Sequence, residues 1–266
     1  MNARKLLLIL LIAASILFPF LSKAQNLSLF ERGTFINKTD TLPYRILFPV
    51  NFDPAKQYPL ILVLHGAGER GNDNEAQLKY GPKLFLNDTI RTKYPAIVVF
   101  PQCPKEPDYW SNVKFNTDSN RKDVFFFQAG GDPTHAMHSL LSLLDQLLEK
   151  PFVDKHRIYV GGLSMGGMGT FEILRRKPDV FAAAFAICGG DNTQNAKIYA
   201  KKVPLWIFHG GKDNVVAPDH SLEMVNAIKV AGGKPKFTLY PNDGHNSWDD
   251  AFAEPDLLPW LFRNRK

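Results

Sequence analysis

The sequence predicts an α/β fold in which a mostly parallel central sheet carries helices on both faces. Two observations predict it. Tyr58–Leu64 and residues 96–100 are continuous apolar runs of strand length, as expected for strands covered on both sides. Segments with apolar residues at helical spacing alternate with such runs. Strands separated by helices build parallel sheets, with functional loops at the strands' C-terminal ends.

The elements follow in order. Residues 30–36 and 42–48 read as antiparallel edge strands ahead of the alternating part. The run Tyr58–Leu64 ends in His65-Gly66, and 96–100 is closed by Pro101. His135–Leu148 repeats apolar residues at helical spacing, with Pro133 and Thr134 at its start. Strand 158–161 leads to helix 168–176, and strand 181–187 stops at Gly189-Gly190. Strand 205–208, helix 220–230 before Gly232-Gly233, strand 237–240 and helix 255–262 complete the series. Residues 104–133 form the longest irregular segment, and a loop that long in a compact domain usually serves function. Its Trp110 is a candidate substrate-lining residue, the alternative being that it pins the loop to the body. Only about fifteen residues separate Cys188 from Pro204, too few for a helical cap, so the site is expected to be open.

The chemistry starts at Gly162-Leu163-Ser164-Met165-Gly166, which follows an apolar strand and precedes a helix. A hydroxyl is a poor nucleophile until a sharp turn exposes it beside a base and an oxyanion site. The G-x-S-x-G elbow provides such a turn, because its glycines leave room where a Cβ would clash. The acid and base are expected later in the chain, each after its own strand. Asp213 lies in the loop after the strand ending at Phe208, and His245 follows the strand ending at Tyr240. Asp191 and Asp243 are rival acids, while His65 and His209 are rival bases read as structural. For the oxyanion hole, Met165 N–H follows the nucleophile, and Ala67 N–H lies in the turn His65-Gly66-Ala67-Gly68.

Residues 1–24 read as a secretory signal peptide: Arg4 and Lys5, an apolar run from Leu6 to Leu21, then a small residue, Ala24, before the expected cut. The catalytic domain is then 25–266, exported to the periplasm or beyond, with no stable membrane span left after cleavage. The segment removes three basic and no acidic residues, lowering the formal charge from +6 to +3. The remaining Lys and Arg are scattered without interleaved aromatics, which argues against nucleic acid as a partner. No cofactor or metal motif is read.

Export invites a disulfide between Cys103 and Cys188. The expected strand order places two strands between them, about 14 Å at the usual strand spacing. A disulfide needs Cα atoms within about 7 Å, so two free thiols are expected.

Taken together, these residues resemble the α/β-hydrolase superfamily. More narrowly, the chain is similar to a group of secreted bacterial esterases related to dienelactone hydrolases and to prolyl-oligopeptidase catalytic domains. The resemblance covers nearly all of the mature chain. It rests on Leu42-Pro43-Tyr44-Arg45, His65-Gly66-Ala67-Gly68-Glu69-Arg70-Gly71, Pro101-Gln102-Cys103-Pro104, Gly162 to Gly167, Ile187-Cys188-Gly189-Gly190 and Gly244-His245-Asn246-Ser247-Trp248. Trp248 in the last run is a second candidate for lining the substrate. Dienelactone hydrolases carry cysteine where this chain has Ser164. Prolyl oligopeptidases carry a propeller for which these residues leave no room. The resemblance implies an α/β-hydrolase fold without a cap domain, and a serine hydrolase acting on short acyl or carbohydrate-linked acetyl or feruloyl esters. A prolyl-oligopeptidase-type peptidase and a non-catalytic binding module are the alternatives.

Overall fold

The structure, a computed structural model, describes residues 26–37, 40–105, 107–115 and 125–266. The expected leader, 1–24, lies outside the described residues. The strands are β1 (Glu31–Asn37), β2 (Asp40–Leu47), β3 (Tyr58–Leu64), β4 (Ile97–Pro101), β5 (Val113–Phe115), β6 (Phe125–Phe127), β7 (Val153–Leu163), β8 (Ala183–Ile187), β9 (Leu205–Gly210) and β10 (Lys236–Tyr240). The described α-helices are α1 (Pro82–Leu86), α2 (Asp88–Lys93), α3 (His135–Leu148), α4 (Met165–Arg176), α5 (Ala196–Tyr199), α6 (Pro218–Val230), α7 (Trp248–Ala253) and α8 (Leu257–Arg263).

Eight strands form one sheet in the order β1-β2-β4-β3-β7-β8-β9-β10. The β1–β2 and β2–β4 pairs are antiparallel and the rest are parallel. Every residue of β3 is buried because both of its faces are covered. Successive side chains of a strand point to opposite faces. Leu60, Leu62 and Leu64 therefore join one apolar layer with α3, α4 and α6, while Ile61 and Val63 join the other with α1, α7 and α8. At about 25 cal/mol per Å² of apolar surface, these two layers are the main force holding the sheet.

The connection from β8 to β9 holds one 3-10 turn and the short helix α5, with no inserted cap. The stretch 104–133 differs from the irregular segment expected: β5 and β6 pair antiparallel as a small second sheet. Cys103 and Cys188 follow β4 and β8, with β3 and β7 between those strands, and both thiols are buried and unbonded. Burial pushes both thiol pKa values up, Asp108 adding to the effect at Cys103 and Asp213 at Cys188. Among the described residues no helix is long and apolar enough to cross a membrane.

Candidate active site

The parallel strands deliver their C-terminal ends to one edge of the sheet. Leu64 of β3 lies beside Gly162 of β7, Leu163 beside Ile187 of β8, and Tyr240 of β10 beside Gly210 of β9. Side chains from β3, β7, β9 and β10 therefore meet over that edge.

Ser164 stands between β7 and α4 with φ 53° and ψ −118°. Positive φ is costly for a residue with a Cβ, and here the packing around the turn imposes it. A Cβ on Gly166 would lie 2.0 Å from the Leu64 carbonyl oxygen, and one on Gly162 would lie 2.4 Å from the Gly166 carbonyl oxygen. Neither position admits a side chain, so the two glycines allow α4 to press against β3 and lift Ser164 clear.

The Ser164 hydroxyl lies 2.9 Å from His245 Nε2, to which it donates, and His245 Nδ1–H donates to Asp213 Oδ2 at 2.7 Å. Asp213 Oδ1 accepts from the N–H groups of Val215 (2.9 Å) and Val216 (3.0 Å). Burial works against the Asp213 charge. Hydrogen bonds from His209, His245, Val216 and Val215 outweigh it and hold the carboxyl well below the usual carboxylate range. Four such bonds at about 1.5–3 kcal/mol each exceed a desolvation cost of several kcal/mol, so the acid remains an anion. The structure thus brings the three expected residues into one hydrogen-bonded chain.

The rivals are occupied elsewhere. Asp191 accepts from Asn195 Nδ2 (3.0 Å) and Asn192 N–H (2.7 Å), and burial pushes its pKa up to about 7. Burial, with a hydrogen bond and charge from Asp250, raises the pKa of Asp243. His209 is more than a bystander: its Nε2 lies 3.3 Å from Asp213 Oδ2 and 2.9 Å from the Val216 carbonyl. Its place at the end of β9, four residues before the acid, was the signal for that role.

The expected oxyanion donors flank Ser164. Met165 opens α4, where first-turn N–H groups have no acceptor inside the helix. Ala67 opens a single turn, Ala67–Glu69. Gly66 before it is so near that a Cβ would sit 3.7 Å from Ser164 Cβ. This turn is fastened from several sides. His65 Nδ1–H donates to the Gly66 carbonyl (2.6 Å), and His65 Nε2 accepts the Cys103 N–H (2.9 Å). Gln102 Nε2 donates to the Glu69 carbonyl (3.2 Å), and Arg70 Nε donates to the Ala67 carbonyl (3.0 Å). Burial raises the Glu69 carboxyl's pKa, opposed by Lys79, whose Nζ lies 3.6 Å away.

The two tryptophans part company. Trp110 is 0% exposed. It fills the space that Gly169 of α4 leaves open and meets the His65 ring at 5.5 Å. It pins its loop to the body, which corrects the expectation that it lines substrate. Trp248 stays partly exposed, its ring edge-on to His245 at 5.2 Å between centroids. The small second sheet brings Phe127 within 5.3 Å of His220, above Gly190.

Among the described residues, Cys188, Asp213 and His245 form one group of possible metal-ligating atoms within 4.8 Å of one another. The imidazole nitrogens and Asp213 oxygens of that group are already engaged in the hydrogen bonds above.

The phospholipase/carboxylesterase family model matches residues 50–254. The chain belongs to the phospholipase/carboxylesterase family of α/β-hydrolases. This family member is 26% identical over 168 residues to a bifunctional acetylxylan esterase/xylanase of Neocallimastix patriciarum, covering 63% of this chain and 21% of that protein. It is 28% identical over 202 residues to lysophospholipase-like protein 1 of Mus musculus, covering 70% of this chain and 79% of that protein. A crystal structure of a thermostable esterase superposes with a TM-score of 0.78 at 31% identity, covering 90% of this chain and 64% of that one. The chain therefore spans about a fifth of the first relative and somewhat under two thirds of the esterase. The family it belongs to is one of esterase-type hydrolases.

Proposed function

We propose that the protein is an exported serine hydrolase that cleaves carboxylic esters through an acyl-serine intermediate. One observation carries the reading: His245 joins Ser164 Oγ at 2.9 Å to Asp213 Oδ2 at 2.7 Å. In that chain His245 takes the Ser164 proton as Oγ attacks the ester carbonyl, and Asp213 holds the ring and balances the imidazolium. The N–H groups of Ala67 and Met165 receive the negative charge that develops on the carbonyl oxygen. His245 returns the proton to the departing alcohol, then activates water to release the acid.

The substrates in this reading are short acyl esters and acetyl or feruloyl groups carried on polysaccharides. Similarity to an acetylxylan esterase and to a thermostable esterase supports the ester preference. In the same reading 1–24 is a leader cut after Ala24, and 25–266 is the catalytic domain.

Kinetics on p-nitrophenyl esters, acetylated and feruloylated sugars and proline-containing peptide amides test the proposal. Ester turnover that disappears in Ser164→Ala is expected. Preferential cleavage of the amides would overturn it in favour of a peptidase.

A further inference from the structure

We infer that the groove between Tyr80 and Trp248 is the leaving-group subsite of the Ser164 centre and that it receives a sugar ring. The inference rests on the ester-hydrolase reading above and deepens it.

The groove encloses about 610 Å³ between the 79–90 segment on one side and 248–258 on the other, with Trp248 standing between it and His245. One wall meets the base through Trp248, and the other reaches the Ala67–Glu69 turn through Lys79. The Trp248 ring stands edge-on to His245 at 5.2 Å, and the Tyr80 ring lies 5.0 Å from Trp248. Lys79 Nζ sits 4.9 Å above the Tyr80 ring and reaches the Glu69 carboxylate at 3.6 Å, in the turn that carries Ala67. The groove thus opens one ring away from the base, and its other wall is tied to the oxyanion turn.

The chemistry of acylation selects which half of an ester enters it. The Ser164 Oγ–carbon bond forms and the carbon–alcohol oxygen bond breaks. The departing oxygen keeps the electron pair and takes its proton from His245 Nε2, while the acyl group stays on Ser164. The alcohol must therefore leave along His245's flank, where Trp248 and the groove lie.

The lining selects the kind of alcohol. Tyr80, Trp248 and Phe252 offer flat apolar surface, while Lys79, Lys83, Asp249 and Glu254 bring hydrogen-bonding groups to the same groove. A simple alkyl alcohol would match the rings and offer nothing to Lys83 and Asp249. A phosphate headgroup would meet carboxylates as well as lysines and gain little. A sugar ring has apolar C–H faces for the aromatics and neutral hydroxyls for both signs of charge.

The test holds the acyl group constant and varies the alcohol, comparing kcat/KM for methyl 2-O-acetyl-β-xyloside with that for methyl acetate. In the wild type the sugar ester should be favoured by about a hundred-fold or more, and Tyr80→Ala should lower that ratio about ten-fold, mainly through KM. Tyr80→Phe should restore most of it. Ala253→Trp, a substitution at an exposed groove residue, should also lower the ratio by filling the space. Turnover of both esters with a ratio near one, or a ratio that neither Tyr80→Ala nor Ala253→Trp changes, would overturn the subsite alone. No turnover of either ester, with Ser164 refusing a fluorophosphonate label, would overturn the hydrolase reading and the subsite with it.

Discussion

His65 and Cys103 are tied across neighbouring strands, the ring's Nε2 accepting the Cys103 N–H at 2.9 Å while its Nδ1–H donates to the Gly66 carbonyl at 2.6 Å. One nitrogen accepts and the other donates, so the arrangement requires a neutral imidazole. Burial supplies it, pushing the His65 pKa from 6.5 down to about 4.

This histidine sets a pH dependence of stability. As pH falls below about 6.5 the unfolded chain protonates the ring, whereas the folded protein holds it neutral until about pH 4. The unfolded state binds the extra proton in that window, so folding stability drops on acidification by up to about 1.4 kcal/mol per pH unit, about 3 kcal/mol in all. Urea unfolding from pH 7 to 4.5 should show a steeper loss for wild type than for His65→Gln. Equal slopes would refute the assignment.

The elbow predicts a contrast between two glycines. Gly166→Ala puts a Cβ 2.0 Å from the Leu64 carbonyl oxygen, whereas Gly68 has nothing within 4 Å of such a Cβ. Gly166→Ala should cost about 3 kcal/mol or more and lower Tm by about 10 °C, while Gly68→Ala should stay within about 0.5 kcal/mol. Thermal melts of the two variants check this, and equal melting temperatures would contradict the close approach of α4 to β3.

The acid assignment separates two aspartates. Asp213→Asn should lower kcat by about 10³- to 10⁴-fold, because the imidazole loses the carboxylate that orients it. Asp243→Asn should change kcat by no more than about two-fold, since that carboxyl is engaged with Asp250. A reversed pattern would move the acid to Asp243.

The thiols should remain separate. Alkylation under denaturing, non-reducing conditions followed by intact-mass analysis should add two adducts, at Cys103 and Cys188, as the two intervening strands require. An oxidised, unmodified chain would contradict the strand order.

How much the sequence disclosed depended on burial. β3 was legible to the residue because cover on both faces leaves an unbroken apolar run. β7 begins at Val153, earlier than expected, because its first half carries exposed Lys155 and His156, which break the run. α4 begins at Met165 rather than 168, since its first turn is Met165-Gly166-Gly167 and has no apolar period. The strands β5 and β6 are three residues each, too short to alternate recognisably. The positions of Ser164, Asp213 and His245 followed from strand ends and chain order. The inward turn of Trp110 did not, because it depends on the gap at Gly169, which packing alone reveals.

The role of Ser164 as nucleophile is tested most directly by active-site labelling with a fluorophosphonate, read by peptide mass spectrometry alongside ester kinetics. One adduct is expected, on Ser164, together with a loss of about 10⁴- to 10⁶-fold in kcat for a folded Ser164→Ala variant. Labelling at another residue, or ester turnover retained in Ser164→Ala, would contradict that role.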